Sequence, residues 1–207
     1  MSLKINIIIF YGDNKMANEI EFKIEITKDE YKEFEKNNKK LIEEYVHKYD
    51  EYYNCPIKGN VIRIRKSDDD YYLCYKNKNF KGNVEVTDEY ETKIEDPDVF
   101  RHIMEALNVS VFFTKKKDAM EVVLKNDPMK DKYNIEFVIV NDKFYYIEIE
   151  WIADFTNKIR NSNDVIKFLE GKIKELGFDP RNKDSRTWIQ IVKDDKPMKS
   201  RDPIDMA

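Results

Sequence analysis

The sequence predicts a mainly β (α+β) fold, an antiparallel barrel or sandwich with a few helices between its strands. Three observations carry that expectation. Short runs that alternate apolar and polar residues recur along most of the 207 residues; turn residues separate them at close intervals; and in run after run the charged residues fall two apart. No stretch resembles a linker, so one domain is expected over 17–193, with 1–16 as an extension or extra strand and 194–207 as a tail.

The elements follow in chain order. Glu19-Ile20-Glu21-Phe22-Lys23 reads as a strand: alternation puts Glu19, Glu21 and Lys23 on one face and Ile20, Phe22 and Ile24 on the other. Thr27 and Glu30 have capping-box spacing, and Tyr31, Phe34, Leu41, Ile42 and Tyr45 recur at helical intervals, which predicts a helix over 28–45. Extended runs at 48–53, 60–66, 70–77 and 83–94 are separated by Gly59-Asn60, Asp68-Asp69-Asp70 and Gly82-Asn83. Asp96-Pro97 opens a second helix to 107, with Phe100, Ile103, Met104 and Leu107 on its apolar face. Strands at 109–116, 118–125, 133–140 and 143–151 come next. Ser162 then begins a helix to Leu176, closed by Gly177, and a short helix over 185–192 ends the domain.

Composition excludes several function classes. With 37 basic and 41 acidic residues the net charge is −4, so no general nucleic-acid surface is expected. Cys55 and Cys74 fit neither a disulfide framework nor a metal-ligand spacing, which points to a reducing, cytoplasmic setting. With only His47 and His102 present, chemistry built on several histidines is not expected. The apolar run from Ile5 to Phe10 is far short of the roughly 20 residues that span a bilayer, so no membrane partner is expected.

The charges carry the functional reading. Arg63 and Arg65 alternate with Ile62 and Ile64; Lys76 shares a face with Tyr72 and Cys74; Lys115 alternates with Lys117; and Glu148 and Glu150 lie opposite Ile147, Ile149 and Trp151. One such pair is ordinary on a half-exposed strand. Sorting by sign is not, because a solvated face intersperses signs to make cross-strand pairs, whereas here acids gather on the first and last main strands and bases on the strands between. If those faces converge inside a closed barrel, the acids suit a hard divalent cation and the bases suit phosphate. Glu89 and Glu91 are balanced between site and surface, Tyr52 and Tyr53 read as core or rim aromatics, and the charges from Lys28 to Lys40 as surface.

At this point the chain resembles the CYTH superfamily, the triphosphate tunnel metalloenzymes. Glu19-Ile20-Glu21-Phe22-Lys23 resembles its Glu-x-Glu-x-Lys signature. In family order follow Asp50-Glu51-Tyr52-Tyr53-Asn54, the Arg-x-Arg strand Asn60 to Arg65, the lysine strand Tyr72 to Lys76, Glu89-Tyr90-Glu91, Ile135-Glu136-Phe137-Val138 and the closing Glu148-Ile149-Glu150. Two positions depart from the pattern: Lys115-Lys116-Lys117 stands where Lys-x-Arg is usual, and Glu136 where aspartate is usual. The His-Phe pair of the cyclase branch is absent before Glu19.

The resemblance implies an eight-stranded antiparallel tunnel with a charged interior and helices on its apolar outside. It implies Mg2+ or Mn2+ held by Glu19, Glu21, Glu148 and Glu150 with help from Glu136, and triphosphate oxygens gripped by Lys23, Arg63, Arg65, Lys76, Lys115 and Lys117. The catalytic set is then Glu19, Glu21, Lys23, Glu148 and Glu150. The expected activity is hydrolysis of inorganic tripolyphosphate or a small organic or nucleoside triphosphate, with a class IV adenylate cyclase or a non-catalytic polyphosphate-binding module as alternatives. A homodimer stays open.

Overall fold

Alternation along β1 (Asn14–Glu25) gives it two usable edges, and both are taken. It pairs antiparallel with β5 (Val84–Ile94) on one side and with β8 (Phe144–Asp154) on the other. In this computed structural model, which describes residues 14–54, 57, 60–82, 84–154 and 162–195, that double pairing closes the sheet into a barrel. From β5 the order continues through β4 (Asp70–Lys81), β3 (Asn60–Ser67), β2 (Ile42–Tyr53), β6 (Val111–Val122) and β7 (Tyr133–Val140) to β8. A two-residue strand, β9 (Lys183–Asp184), adds to β1 at Lys23 and Ile24. Closure matters because it leaves no long open edge and creates an interior.

The expected eight-stranded antiparallel barrel is thus observed, with differences in its parts. The helix expected over 28–45 stops early: α1 is Lys28–Asn37, capped at its start by Thr27 and Glu30. At its end the Asn38 backbone and side-chain amides both donate to the Phe34 carbonyl, and Leu41 to Tyr45 then join the start of β2 and its approach. Long-range pairing with β6 outweighs the helical spacing there. The two strands expected at 109–116 and 118–125 are one, β6, since Lys115 to Asp118 holds nothing that breaks a ladder. The first thirteen positions of the expected extension, the apolar run Ile5–Phe10 among them, Cys55, and positions 196–207 of the tail lie outside the described residues; positions 14–16 belong to β1.

The outer face is apolar and covered. Ile20, Phe22 and Ile24 join Phe137, Ile147 and Ile149 under α1 and α3 (Ser162–Glu175), which contribute Tyr31, Phe34, Leu169 and Ile173. Phe34 stacks on Phe137 with ring centroids 3.9 Å apart. A second patch, Tyr53 and Ile64, lies under Phe100 and Met104 of α2 (Pro97–Ala106). Burial of each such side chain contributes about 1.5–3 kcal/mol. No described helix is long and apolar enough to cross a membrane.

The last helix, α4 (Trp188–Asp194), does something else. Its Trp188 and Ile191 pack on Ala119, Val138, Val140, Phe144 and Tyr146. Those side chains alternate with the outward-facing residues of β6, β7 and β8, so they belong to the barrel interior, and α4 stoppers part of it. Ile191→Ala is expected to cost about 2–4 kcal/mol in urea denaturation; a loss below about 0.5 kcal/mol would mean that α4 is not seated there.

Candidate active site

Register places the inward carboxylates in a row. Glu21 of β1 stands opposite Glu150 of β8 and, on its other side, opposite Glu85 of β5. Like charges facing each other across a ladder are destabilising, and the row shows it. Burial first, then Glu85 and Glu148, push the Glu21 carboxyl up to about 7. Glu85 is relieved by Lys78 at 2.6 Å, and Glu150 accepts from Asn134 at 3.0 Å. Among the described residues Glu21 has no ion-pair partner.

One step along the barrel, Glu148 faces Lys23 across the ladder. Glu148 accepts from Lys117 at 2.7 Å and from the Trp188 indole. Burial works to raise its pKa, but Lys117 and then Lys115 bring it down to about 2. Glu136 is shared by Lys117 at 2.6 Å and by Lys48, and despite burial these lysines hold it well below the usual carboxylate range.

The opposite arc is basic, and one acid organises it. Asp50 on β2 is fully buried between Arg65 of β3 and Lys115 of β6, its register partners on either side. Arg65 donates twice to its carboxylate, at 2.7 and 3.1 Å; Lys115 stands at 3.2 Å and Arg63 at 3.7 Å. Burial alone would raise Asp50, but Arg65, Arg63 and Lys115 outweigh it and keep the carboxylate ionised. Asp50 is thus shared by three cations, of which Arg63 also reaches Glu89 and Glu91. Burial drags the Lys115 ammonium down to about 8 against the pull of Asp50, with Lys117 adding to the fall.

The two arcs bound a cavity of about 480 Å³ lined by eight lysines and arginines against five glutamates. That excess suits an anionic ligand. Of the sequence-predicted residues, Glu21, Lys23, Arg63, Arg65, Lys76, Lys115, Lys117, Glu136, Glu148 and Glu150 line it. Glu19 does not: it is buried against Lys76 at 2.9 Å. Glu89, left balanced by sequence, is buried and pairs with Lys76 at 2.9 Å and Arg63 at 3.4 Å; Glu91 stands 3.8 Å from Arg63. Sequence reasoning missed Lys48, Lys78, Glu85 and Trp188 as site residues. Lys48-x-Asp50-x-Tyr52, Lys76-x-Lys78 and Glu85-x-Thr87-x-Glu89 carry the same two-residue spacing and could have been found; Trp188, arriving on a separate helix, had no such signal.

An eight-stranded antiparallel barrel enclosing a charged cavity, acidic on one arc and basic on the other, defines the class of protein. The chain belongs to the CYTH domain family, whose profile matches residues 17–187. Among solved structures it is similar to the PH1819 protein of Pyrococcus horikoshii OT3, at 19% identity over 86% of this chain and 99% of that one with a TM-score of 0.70. It is also similar to the PH1012 protein of the same organism, at 20% over 83% and 98% with a TM-score of 0.68. A third is a putative adenylyl cyclase from Hippeastrum described as having dominant triphosphatase activity, at 13% over 89% and 98% with a TM-score of 0.60. These identities establish the shared fold. Among curated proteins none matches.

The carboxylate row generates a stability prediction. Between pH 4.5 and about 7 folded Glu21 holds a proton that the unfolded chain releases, so its destabilising effect grows as pH rises through that window and is full above it. Glu21→Gln is therefore expected to stabilise the metal-free protein at pH 8 by about 1–2 kcal/mol after allowance for solvent in the cavity, and hardly at all at pH 4.5. Thermal unfolding at the two pH values checks it; an equal effect at both would show that the row is not electrostatically strained.

Proposed function

We propose that the protein is a metal-dependent hydrolase of a triphosphate, acting on a phosphoanhydride bond. The observation that carries this reading is the division of one cavity into a strained carboxylate row and a basic arc with unmet donors. Arg63 Nε is buried with no hydrogen-bond partner among the described residues, a donor that a phosphate oxygen would satisfy. Lys23 is 4% exposed, lines the cavity beside the acids, and has no ion-pair partner among the described residues.

The donor set fits a hard divalent cation: carboxylate oxygens, mutually repelling, with Glu21 unpaired among the described residues. Glu21 and Glu150 are the residues that would hold Mg2+ or Mn2+, with Glu85 and Glu148 beside them. Glu19, Glu136 and Glu148, expected in the same role, are engaged by lysines, and we read them as supporting the site. When bound, the cation supplies neutralisation of phosphate charge and activation of water. The chain itself does the positioning. Asp50 holds the Arg63 and Arg65 guanidinium groups in a fixed fork, so their outer N–H groups meet phosphate oxygens already oriented. Lys115 and Lys117 extend that arc, Lys76 and Lys78 flank it, and Lys23 reaches the phosphate from the acidic side. Catalysis of this kind is positioning and electrostatics, with no covalent nucleophile.

A panel of triphosphates assayed for released phosphate and for cyclic nucleotide tests the activity. Phosphate release is expected with Mg2+ or Mn2+ and none after chelation; turnover unchanged in chelator would sink the metal requirement, and cyclic AMP as the main product would favour a cyclase. Glu150→Gln should lower turnover by about 10²-fold or more, while Lys36→Ala on the exposed side of α1 should leave it unchanged.

Arg65→Ala should flatten the affinity ladder from tripolyphosphate through pyrophosphate to monophosphate. Each charge-assisted bond to a phosphate is worth roughly 1.5–3 kcal/mol, and the longer anion makes more of them. Calorimetry giving the wild type equal affinity for mono- and triphosphate would remove the basic arc from the binding site.

A further inference from the structure

Two lysines of β4, two positions apart, project into the cavity, and they are held differently. Lys76 is pinned between Glu19 and Glu89, 2.9 Å from each. Lys78 has a single ion-pair partner among the described residues, Glu85 at 2.6 Å, and its side chain is 21% exposed against 10% for Lys76. Neither Lys78 nor Glu85 belongs to the motifs that carried the family resemblance.

Glu85 is one end of the carboxylate row: it stands opposite Glu21, which stands opposite Glu150. Lys78 and the Thr87 hydroxyl both donate to its Oε1, at 2.6 and 3.1 Å, while its Oε2 takes no hydrogen bond among the described residues. An ammonium and a divalent cation therefore compete for one group. A cation in the row draws on the Glu85 charge that otherwise neutralises Lys78, and it repels the ammonium besides. Lysine carries its charge as a point on a flexible four-carbon stem, so it turns to a new partner more readily than a guanidinium held in a fork, as Arg65 is by Asp50. Lys78 lines the same cavity as Arg63, Arg65 and Lys115, and the partner that cavity offers it is the anion those bases suit.

We propose that Lys78 is a phosphate-binding residue held in reserve: Glu85 occupies it in the metal-free protein, and a divalent cation in the carboxylate row releases it to the polyanion. The inference rests on the triphosphate reading above and deepens it, because it makes part of the basic grip conditional on the cation. The coupling is reciprocal: an anion that draws Lys78 off Glu85 opens that carboxylate to the cation by the same factor.

The test is a cycle of two substitutions, Lys78→Met and Glu85→Gln, with tripolyphosphate affinity measured by calorimetry in chelator and in saturating Mn2+. Loss of a charge-assisted bond predicts that Lys78→Met weakens binding by about ten-fold or more in Mn2+ and by about three-fold or less in chelator, where Glu85 already holds the ammonium. In the Glu85→Gln background the ammonium is free from the start, so the same substitution should cost about ten-fold in chelator too. Glu85→Gln alone keeps Lys78 and should tighten metal-free binding by about ten-fold, a readout that holds even where Lys78→Met fails to fold; no gain there overturns the exchange. Equal costs of Lys78→Met in both conditions would make it an ordinary phosphate contact, and no cost in either would make the pair structural. Each of these overturns the exchange and leaves the triphosphate reading standing. If the wild type binds tripolyphosphate in neither condition, the triphosphate reading fails and this inference with it.

Discussion

Closure of the sheet by β1 is the constraint on which the rest depends. Only because β1 pairs with both β5 and β8 does Glu21 stand between Glu85 and Glu150, and only inside a closed barrel are those carboxylates kept from bulk water. The same closure turns Ile20, Phe22 and Ile24 outward, where α1 and α3 bury them. One alternation thus sets two opposite environments, an apolar shell that stabilises the fold and a charged interior that does not.

Buried ion pairs contribute little net stability, since the cost of removing both ions from water offsets most of their attraction. The interior is therefore understood better as a binding arrangement than as a source of stability. On the basic arc, Asp50 anchors both Arg65 and Lys115 and leaves that pair short of neutralisation, while Arg63 is shared with Glu89 and Glu91. On the acidic arc, Glu136 and Glu148 are satisfied by lysines, whereas Glu21 is not. The imbalance on each side has the sign of the partner it lacks: an anion for the bases, a cation for the acids. Trp188 links this arrangement to the end of the chain, because its indole donates to Glu148 while its ring packs beside Tyr146. Loss of α4 would expose the acidic arc as well as the apolar stopper.

Much of this was legible in the sequence because period-two alternation reports directly which face a side chain takes. The inward row of β1, the arginines of β3 and the glutamates of β8 were read from spacing, and the motifs in family order supplied the barrel. What spacing does not carry is cross-strand register. That Glu21 meets Glu85, that Asp50 sits under three cations, and that Glu19 is occupied by Lys76 are facts of pairing between strands distant in sequence. Register also explains the misread start of β2: Leu41, Ile42 and Tyr45 keep helical spacing, but the β6 ladder decides their conformation. Trp188 and the stopper around it come from tertiary packing, which no local pattern reports.

The account's central claim is that a divalent cation and a polyanion occupy opposite arcs of one cavity. Anomalous diffraction from crystals grown with Mn2+ and tripolyphosphate tests it most directly. The expected result is a manganese peak within about 2.5 Å of carboxylate oxygens of Glu21 and Glu150, with the phosphates on the side of Arg63, Arg65 and Lys115. Manganese bound only outside the barrel, or phosphates that avoid those three bases, would contradict it.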